Sequence, residues 1–196
     1  MSLARVAVGY DPGSALSGFG VIAREGQRRR FLDAGTITTE PSFTMLERLD
    51  YILHQLTDVV REHRPVVLAI EDQLGMAAAA RACVNAQLSQ ARRGEQPKFF
   101  GYNADNDGVL GAQFMAMAVG FTYRVPVILL QPKTIKVSVV GPGGSEAEKS
   151  EVKAAVQRLF PELVDVRFSS HAADGIATAV CGEHQHHIQT VRVQCR

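Results

Sequence analysis

The sequence predicts one α/β domain in which helices pack against a sheet. Three strand-like segments open the chain, separated by short polar turns, which is typical of an antiparallel meander. An amphipathic helix and then a continuous apolar run follow, which is the pattern of a strand-helix-strand crossover. The chain has 196 residues, of which 46% are hydrophobic, and this is enough to bury one core.

The composition limits the classes of function that the protein can have. The formal net charge is only +1, so binding of nucleic acid must come from local basic patches. Cys83, Cys181 and Cys195 lie far apart without a Cys-x-x-Cys pair, which argues against a disulfide framework and a zinc ribbon and fits a reducing cytoplasm. The apolar runs are too short to span a bilayer, and the first residues lack a signal pattern. We therefore expect a soluble cytoplasmic protein.

The first strand-like stretch, Val6–Gly13, carries an acid at its end. Pro12 has no backbone donor and Gly13 tolerates positive φ, so the chain leaves the sheet directly after Asp11. An Asp-Pro-Gly sequence by itself is typical of a plain turn. Asp11 therefore becomes a candidate only through the acids that follow.

Ser17–Ala23 and Phe31–Thr38 predict the second and third strands of the meander. The turn between them carries Arg24 and the run Arg28–Arg30. A solvated basic turn is the favoured interpretation, and a binding site is the alternative.

An amphipathic helix is predicted over Thr44–His63, with apolar residues three and four positions apart, and Pro65 follows its end. The next run, Val66–Ile70, is typical of a strand buried on both faces. It ends at Glu71, a second acid that the crossover places beside the first strand. The alternative is that Glu71 merely begins an exposed loop.

Residues 74–98 form the least usual segment. Residues 76–92 are alanine-rich and helix-prone, and the basic residues outnumber the single acid Glu95, which predicts a basic helical insertion. These basic residues are Arg81, Arg92, Arg93 and Lys98. Phe99, Phe100 and Tyr102 follow, a mixture suited to stacking on bases and pairing with phosphates. Core packing is an equally good explanation for one of the phenylalanines.

The helix predicted over Asp105–Tyr123 has many small residues, which let another helix from the core or from a second copy of the chain pack closely. Val125–Leu130 predicts the fifth strand, Gln131–Val139 a short helix, and Ser145 the cap of a helix over Glu146–Phe160. Most lysines on these two helices are expected at the solvated surface, with one or two near a phosphate. They are Lys133, Lys136, Lys149 and Lys153.

The last predicted helix, Ser170–Cys181, with Ser169 or Ser170 as its cap, carries His171 and Asp174 on the same side of its first turn. An acid in a first turn also stabilises the helix dipole, which is the alternative interpretation of Asp174. Three further histidines lack acid or cysteine partners at ligand spacing and predict a polar tail rather than a metal site. They are His184, His186 and His187.

Three acids and a histidine at one edge of a sheet indicate a cation. Like charges a few ångström apart are costly unless something positive lies between them. Oxygen ligands suit Mg²⁺ or Mn²⁺, and two such ions can clamp the attacking water and the leaving oxygen of a phosphodiester. The residues therefore indicate hydrolysis of a nucleic-acid backbone.

Five motifs occur in order between about Val6 and His184. They are Asp11-Pro12-Gly13-Ser14 with Gly18-Phe19-Gly20-Val21, Ala69-Ile70-Glu71, Asn103-Ala104-Asp105, the segment from Gly141 through Glu148-Lys149-Ser150, and His171-Ala172-Ala173-Asp174-Gly175. Together they resemble the RuvC family of Holliday junction resolvases, within the ribonuclease H-like superfamily. The resemblance implies a ribonuclease H-like mixed five-stranded sheet, an antiparallel meander followed by parallel strands, flanked by helices.

The resemblance also implies a homodimer that makes paired, metal-dependent nicks in opposed strands of a four-way junction, and it leaves open a branch-migration complex as a further partner. The implied ligands of two Mg²⁺ ions, with Mn²⁺ able to substitute, are Asp11, Glu71, His171 and Asp174. Members of the family have aspartate or histidine where His171 stands. Lys136 and Lys149 fall near the scissile phosphate, and Lys149 is expected to stabilise its developing charge as a catalytic cation.

The chain departs from the family at residues 74–98, because the family reaches its Asn-containing motif in far fewer residues. Between its glutamate and its Asn-containing motif, the family has an aromatic residue that wedges into the junction. Phe99 lies at the family's spacing from Asn103, so we expect Phe99 and Phe100, rather than Leu74, to act as the wedge. We expect a nuclease domain over residues 1–187 with this insertion, and a C-terminal tail over residues 188–196.

Of three other classes, the first stays open and the sequence argues against the other two. A ribonuclease H-like nuclease that acts on flaps, other branched DNA or structured RNA would share the fold and the acids. A non-catalytic junction-binding protein would not need the complete set of ligands. A phosphate-binding ATPase of the actin type would need a second nucleotide-binding domain.

Overall fold

The computed structural model describes residues 4–72, 75 and 107–194. The strands are β1 (Arg5–Asp11), β2 (Leu16–Glu25), β3 (Arg28–Thr38), β4 (Val67–Glu71) and β5 (Val127–Leu130). They form one five-stranded sheet in the order β3-β2-β1-β4-β5. β2 pairs antiparallel with β1 and β3, whereas β4 pairs parallel with β1 and β5. The predicted mixed five-stranded sheet is confirmed.

Five α-helices lie in the described part of the chain. They are α1 (Met45–His63), α2 (Asp107–Thr122), α3 (Pro132–Val140), α4 (Lys149–Leu159) and α5 (Ser170–Gln194). Two hydrophobic cores form, with α1 and α2 packed around side chains such as Val8 and α5 packed around side chains such as Ala7. Among the described residues, no helix is both long enough and apolar enough to cross a membrane.

α5 approaches the sheet closely because glycine leaves room for it. A Cβ atom on Gly18 would overlap the carbonyl oxygen of His171, and one on Gly20 would overlap the backbone of Ile176. The same close contact occurs at two more positions. We call the four residues the glycine seat: Gly9, Gly18, Gly20 and Gly175. Since Gly18 pairs with Asp11, the seat holds the start of α5 beside the end of β1.

α5 runs well past its predicted end at Cys181 and continues to Gln194. The predicted polar tail is therefore wrong, and His184, His186 and His187 are helical. Contacts across the chain explain this. Arg5, at the start of β1, lies 2.9 Å from Nδ1 of His186 and donates to the hydroxyl of Thr190 at 3.1 Å.

The basic run Arg28–Arg30 opens β3 and does not form the turn that was expected. Arg24 and Arg29 both donate to the carboxylate of Glu183 on α5, at 3.1 Å and 3.0 Å. Only 5% of the Glu183 side chain is exposed, and a buried carboxylate is costly without such partners. These two arginines therefore tie α5 to the sheet, and the prediction of a solvated turn is wrong for them.

α4 begins at Lys149, because residues 144–146 form a short 3-10 turn instead of the first helical turn. Ser145 is therefore not the helix cap that was predicted. The side chain of Glu151 accepts the backbone N–H of Glu148 at 2.8 Å, which is half of a capping box. This start places Lys149 at the first position of α4.

Candidate active site

Two acids meet at the carboxyl ends of neighbouring parallel strands. Asp11 ends β1 and Glu71 ends β4. The register pairs Tyr10 with Ile70, so the two acids occupy the next aligned positions and lie on the same face of the sheet. This is the face that α5 covers. The crossover predicted from the sequence therefore brings the acids together as expected.

α5 supplies a histidine and a third acid from its start. His171 and Asp174 are three residues apart and so lie on one side of the helix. The hydroxyl of Ser169 accepts the N–H of Ala172 at 3.0 Å, as a helix cap does, and contacts the hydroxyl of Thr36 in β3 at 2.5 Å. The cap and the glycine seat together hold both side chains over the end of β1.

The side chains converge on one cleft. Ligand atoms of Asp11, His171 and Asp174 all lie within 4.8 Å of one another. Nδ1 of His171 is 3.2 Å from Oδ2 of Asp11. Glu71 lines the same cleft, which has a volume of about 470 Å³. The structure thus brings together all four residues that the sequence predicted as metal ligands.

Two acids of this cleft, Glu71 and Asp174, have raised pKa values. Burial, followed by the carboxylates of Asp11 and Asp174, raises the pKa of Glu71 to about 8. Burial and Asp11 raise the pKa of Asp174 to about 6, although Lys149 and His171 act in the opposite direction. Protons held in this way would be displaced by a divalent cation. Three carboxylates and one imidazole fit the oxygen-rich coordination of Mg²⁺ or Mn²⁺.

Two lysines stand at the edge of the cleft, as predicted. Nζ of Lys149 lies 3.7 Å from Oδ2 of Asp174, and 65% of the Lys149 side chain is exposed. Lys136 on α3 lines the same cleft. Both cations lower the pKa of Glu71. An anion that enters the cleft would therefore meet positive charge beside the acids.

A larger and more open cleft, of about 820 Å³, lies at the opposite end of the sheet, between the ends of α1 and α2. Its charged lining residues are Asp58, Arg61, Glu62, Arg64 and Arg124. Within the described ranges, the group of Asp11, His171 and Asp174 is the one set of three side chains close enough to share a metal ion. The chemistry is therefore assigned to the smaller cleft.

Several predicted DNA-contacting residues lie outside the described residues. They are Leu74, Arg81, Arg92, Arg93, Phe99 and Phe100. Their roles as a junction wedge and as phosphate contacts stay predictions.

The supporting roles of the glycine seat and of Thr36 were not predicted. The glycine seat has a sequence signal, because Gly18 and Gly20 alternate along one strand and leave one face without side chains. Thr36 has no sequence signal, because its partner Ser169 is 133 residues away in the sequence.

Comparisons with known proteins find similarity over almost the whole chain. A family model described as "Crossover junction endodeoxyribonuclease RuvC" matches residues 7–94. A protein of that name from Hyphomonas neptunium is 32% identical over 185 residues, which cover 94% of each chain. The structure of Thermus thermophilus RuvC is 26% identical, with a TM-score of 0.70 over 94% of this chain and 97% of that one. T. thermophilus RuvC in complex with Holliday junction substrate gives a TM-score of 0.73 at 26% identity, over 95% and 97% of the two chains.

Proposed function

Because the chain belongs to the RuvC family, we propose that it is a crossover junction endodeoxyribonuclease that nicks four-way DNA junctions. The observation that carries the proposal is the meeting of three acids and a histidine in one cleft, with two lysines at its edge. The similar T. thermophilus RuvC has been solved with a Holliday junction substrate, which supports the same substrate class here.

We further propose that the cleft binds two Mg²⁺ ions, for which Mn²⁺ can substitute. The ligands would be Asp11, Glu71, His171 and Asp174. The raised pKa values of Glu71 and Asp174 support this assignment, because both acids gain from a nearby cation. When bound, such ions activate a water molecule and stabilise the leaving oxygen of a phosphodiester.

Lys149 is proposed as the catalytic cation of the chain itself. Its exposed ammonium group lies beside Asp174, where it can reach a phosphate held over the cleft. There it would stabilise the negative charge that develops on the scissile phosphate. Lys136, on the other wall, would contact the DNA backbone and orient it.

The working form is proposed to be a homodimer, because paired nicks in opposed strands need two clefts. α2 supplies a candidate surface. One side of this helix packs into the core, yet Phe114 and Phe121 on its outer side are 43% and 67% exposed. A helix that is apolar all round is normally covered on every side. A second copy of the same helix would cover these phenylalanines.

The cytoplasm is proposed as the compartment, since the one cysteine within the described residues, Cys181, is a buried free thiol. A branch-migration complex on the same junction would be a further partner. Co-sedimentation with such a complex on a four-way junction would test the partnership.

Mapping of nicks on a synthetic four-way junction tests the function. Each strand is labelled in turn and incubated with the purified protein and Mg²⁺ or Mn²⁺. We expect symmetric nicks in opposed strands and none in the presence of a chelator. Flaps, splayed duplexes and RNA are tested under the same conditions. If any of these is cut faster than the four-way junction, that nucleic acid would be the preferred substrate instead.

A further inference from the structure

The start of α5 is preceded by a segment that needs support. Residues 164–169 lie between a short 3-10 turn, Pro161–Leu163, and α5, and form neither helix nor strand. His171 and Asp174 follow directly. The positions of both side chains therefore depend on how this segment is held.

Lys153 on α4 contacts this segment in two ways. Its Nζ donates to the carbonyl oxygen of Phe168 at 2.6 Å and lies 4.7 Å from the centroid of the Phe168 ring. The ring in turn packs against the core beneath α5. A lysine held by a carbonyl and a ring loses rotamer freedom, and the two contacts together must offset that cost. The contact is therefore a specific one rather than a passing surface contact.

Lys149 lies one turn earlier on the same face of α4, and its Nζ is 3.7 Å from Asp174. α4 therefore contacts the start of α5 at two points. Lys149 meets an acid of the cleft, and Lys153 meets Phe168, the residue before the capping Ser169.

We propose that Lys153 is a positioning residue of the cleft. By holding Phe168 against α4, it sets the place of the first turn of α5 and the distance from Lys149 to Asp174. The effect on cleavage rests on the proposed nuclease function, whereas the effect on metal binding does not.

The test compares Lys153→Met and Lys153→Arg. Methionine keeps most of the apolar stem but removes the donor and the charge. We expect the Mn²⁺ dissociation constant of Lys153→Met, measured by titration calorimetry, to rise about 10-fold, and single-turnover cleavage to slow by about the same factor. Lys153→Arg keeps a donor and a cation that stacks on the ring, so it should restore most of both. Affinity for the junction without divalent ions should stay unchanged.

Gln157→Met is the matched control. Gln157 lies one turn beyond Lys153 and also donates to a loop carbonyl, that of Leu163 at 3.3 Å, but away from the start of α5. We expect this variant to keep the wild-type Mn²⁺ affinity and cleavage rate.

Two outcomes overturn the proposal. In the first, Lys153→Met lowers the melting temperature, but at temperatures well below the melting point it keeps the wild-type Mn²⁺ affinity and cleavage rate. The residue would then have only a structural role. In the second, Gln157→Met weakens Mn²⁺ binding equally. If Mn²⁺ affinity changes as expected while the wild-type protein cuts no junction, the positioning proposal stands and the nuclease proposal fails.

Discussion

The fold disfavours the ionised form of Glu71. Its pKa is raised from 4.5 to about 8 because the side chain is buried beside Asp11 and Asp174. An acid whose pKa is higher in the folded chain stabilises the fold while it is protonated. The contribution is complete below about pH 4.5 and is lost as the pH rises through about 8. The metal-free protein is therefore weakened near neutral pH by its own site.

We expect Glu71→Gln to stabilise the metal-free protein by about 4 kcal/mol at pH 8 and by less than about 1 kcal/mol at pH 5, because glutamine has no charge to bury. Urea unfolding in the presence of a chelator at both pH values measures this. An equal effect at the two pH values would show that shape, not charge, is responsible.

Binding of Mg²⁺ should release protons, because Glu71 and Asp174 must ionise to act as ligands. Affinity should therefore rise as the pH rises from 6 towards 8. Calorimetric titration in buffers of different ionisation enthalpy counts the protons. Binding without proton release would contradict the assignment of these acids as ligands.

Asp174→Asn should reduce cleavage of a four-way junction by about 100-fold or more while junction affinity is kept, because the acid is proposed to hold the metal and not the DNA. Single-turnover cleavage and gel-shift titration measure the two effects. Asp165→Asn, an exposed acid in the segment before α5, is the control and should cut normally. Near-normal cutting by Asp174→Asn would remove Asp174 from the site.

Lys149→Ala should slow cleavage by about 100-fold and weaken junction binding far less, as expected for a cation that acts mainly on the transition state. Lys133→Ala is a suitable comparison, since Lys133 is also exposed and pairs with Glu146 at 2.8 Å. Equal losses of rate and affinity would reduce Lys149 to a phosphate anchor.

At the scale of elements, α5 is placed by the glycine seat, which accepts no side chain. Gly18 lies against the His171 carbonyl, so an added methyl group must displace backbone of the helix start. The contact therefore links a residue without functional groups to the geometry of the ligands.

Gly18→Ala should lower the free energy of unfolding by about 1–3 kcal/mol and weaken Mn²⁺ binding, because the start of α5 must shift. Gly35→Ala is the control, since the atoms nearest to its methyl group would belong to the ring of Phe19, a side chain that packs on the opposite core. Urea unfolding and calorimetry separate stability from affinity. A Gly18→Ala protein with wild-type Mn²⁺ affinity would show that the seat does not position the ligands.

Elements with local signals were predictable from the sequence. The acid at the end of β1, the helix after Thr44 and the shared face of His171 and Asp174 each depend on neighbouring residues. The continuation of α5 past Cys181 was not, because it depends on Arg5 at the other end of the chain. The pairing of Arg29 with Glu183 likewise joins residues 154 positions apart. Such contacts leave no local pattern.

At the scale of the whole molecule, the cleft faces one end of the sheet and the apolar face of α2 lies on the layer opposite α5. The proposed cleavage and the proposed dimerisation would therefore use different surfaces. A substitution in one should leave the other unchanged.

Phe121→Glu should convert the proposed dimer to a monomer, because a buried carboxylate without a partner is costly. Sedimentation equilibrium measures the mass, and Mn²⁺ calorimetry should show an unchanged cleft. Thr122→Glu, an exposed polar position on the same helix, is the control. A Phe121→Glu protein that stays dimeric would place the interface elsewhere.

The cleft joins β1 to α5, a helix that is synthesised long after that strand. A nascent polypeptide on the ribosome holds Asp11 and Glu71 long before His171 and Asp174 have emerged. Until α5 leaves the exit tunnel and docks, the ligand set is incomplete. Under the proposed function, cutting would therefore require α5 to be synthesised and docked.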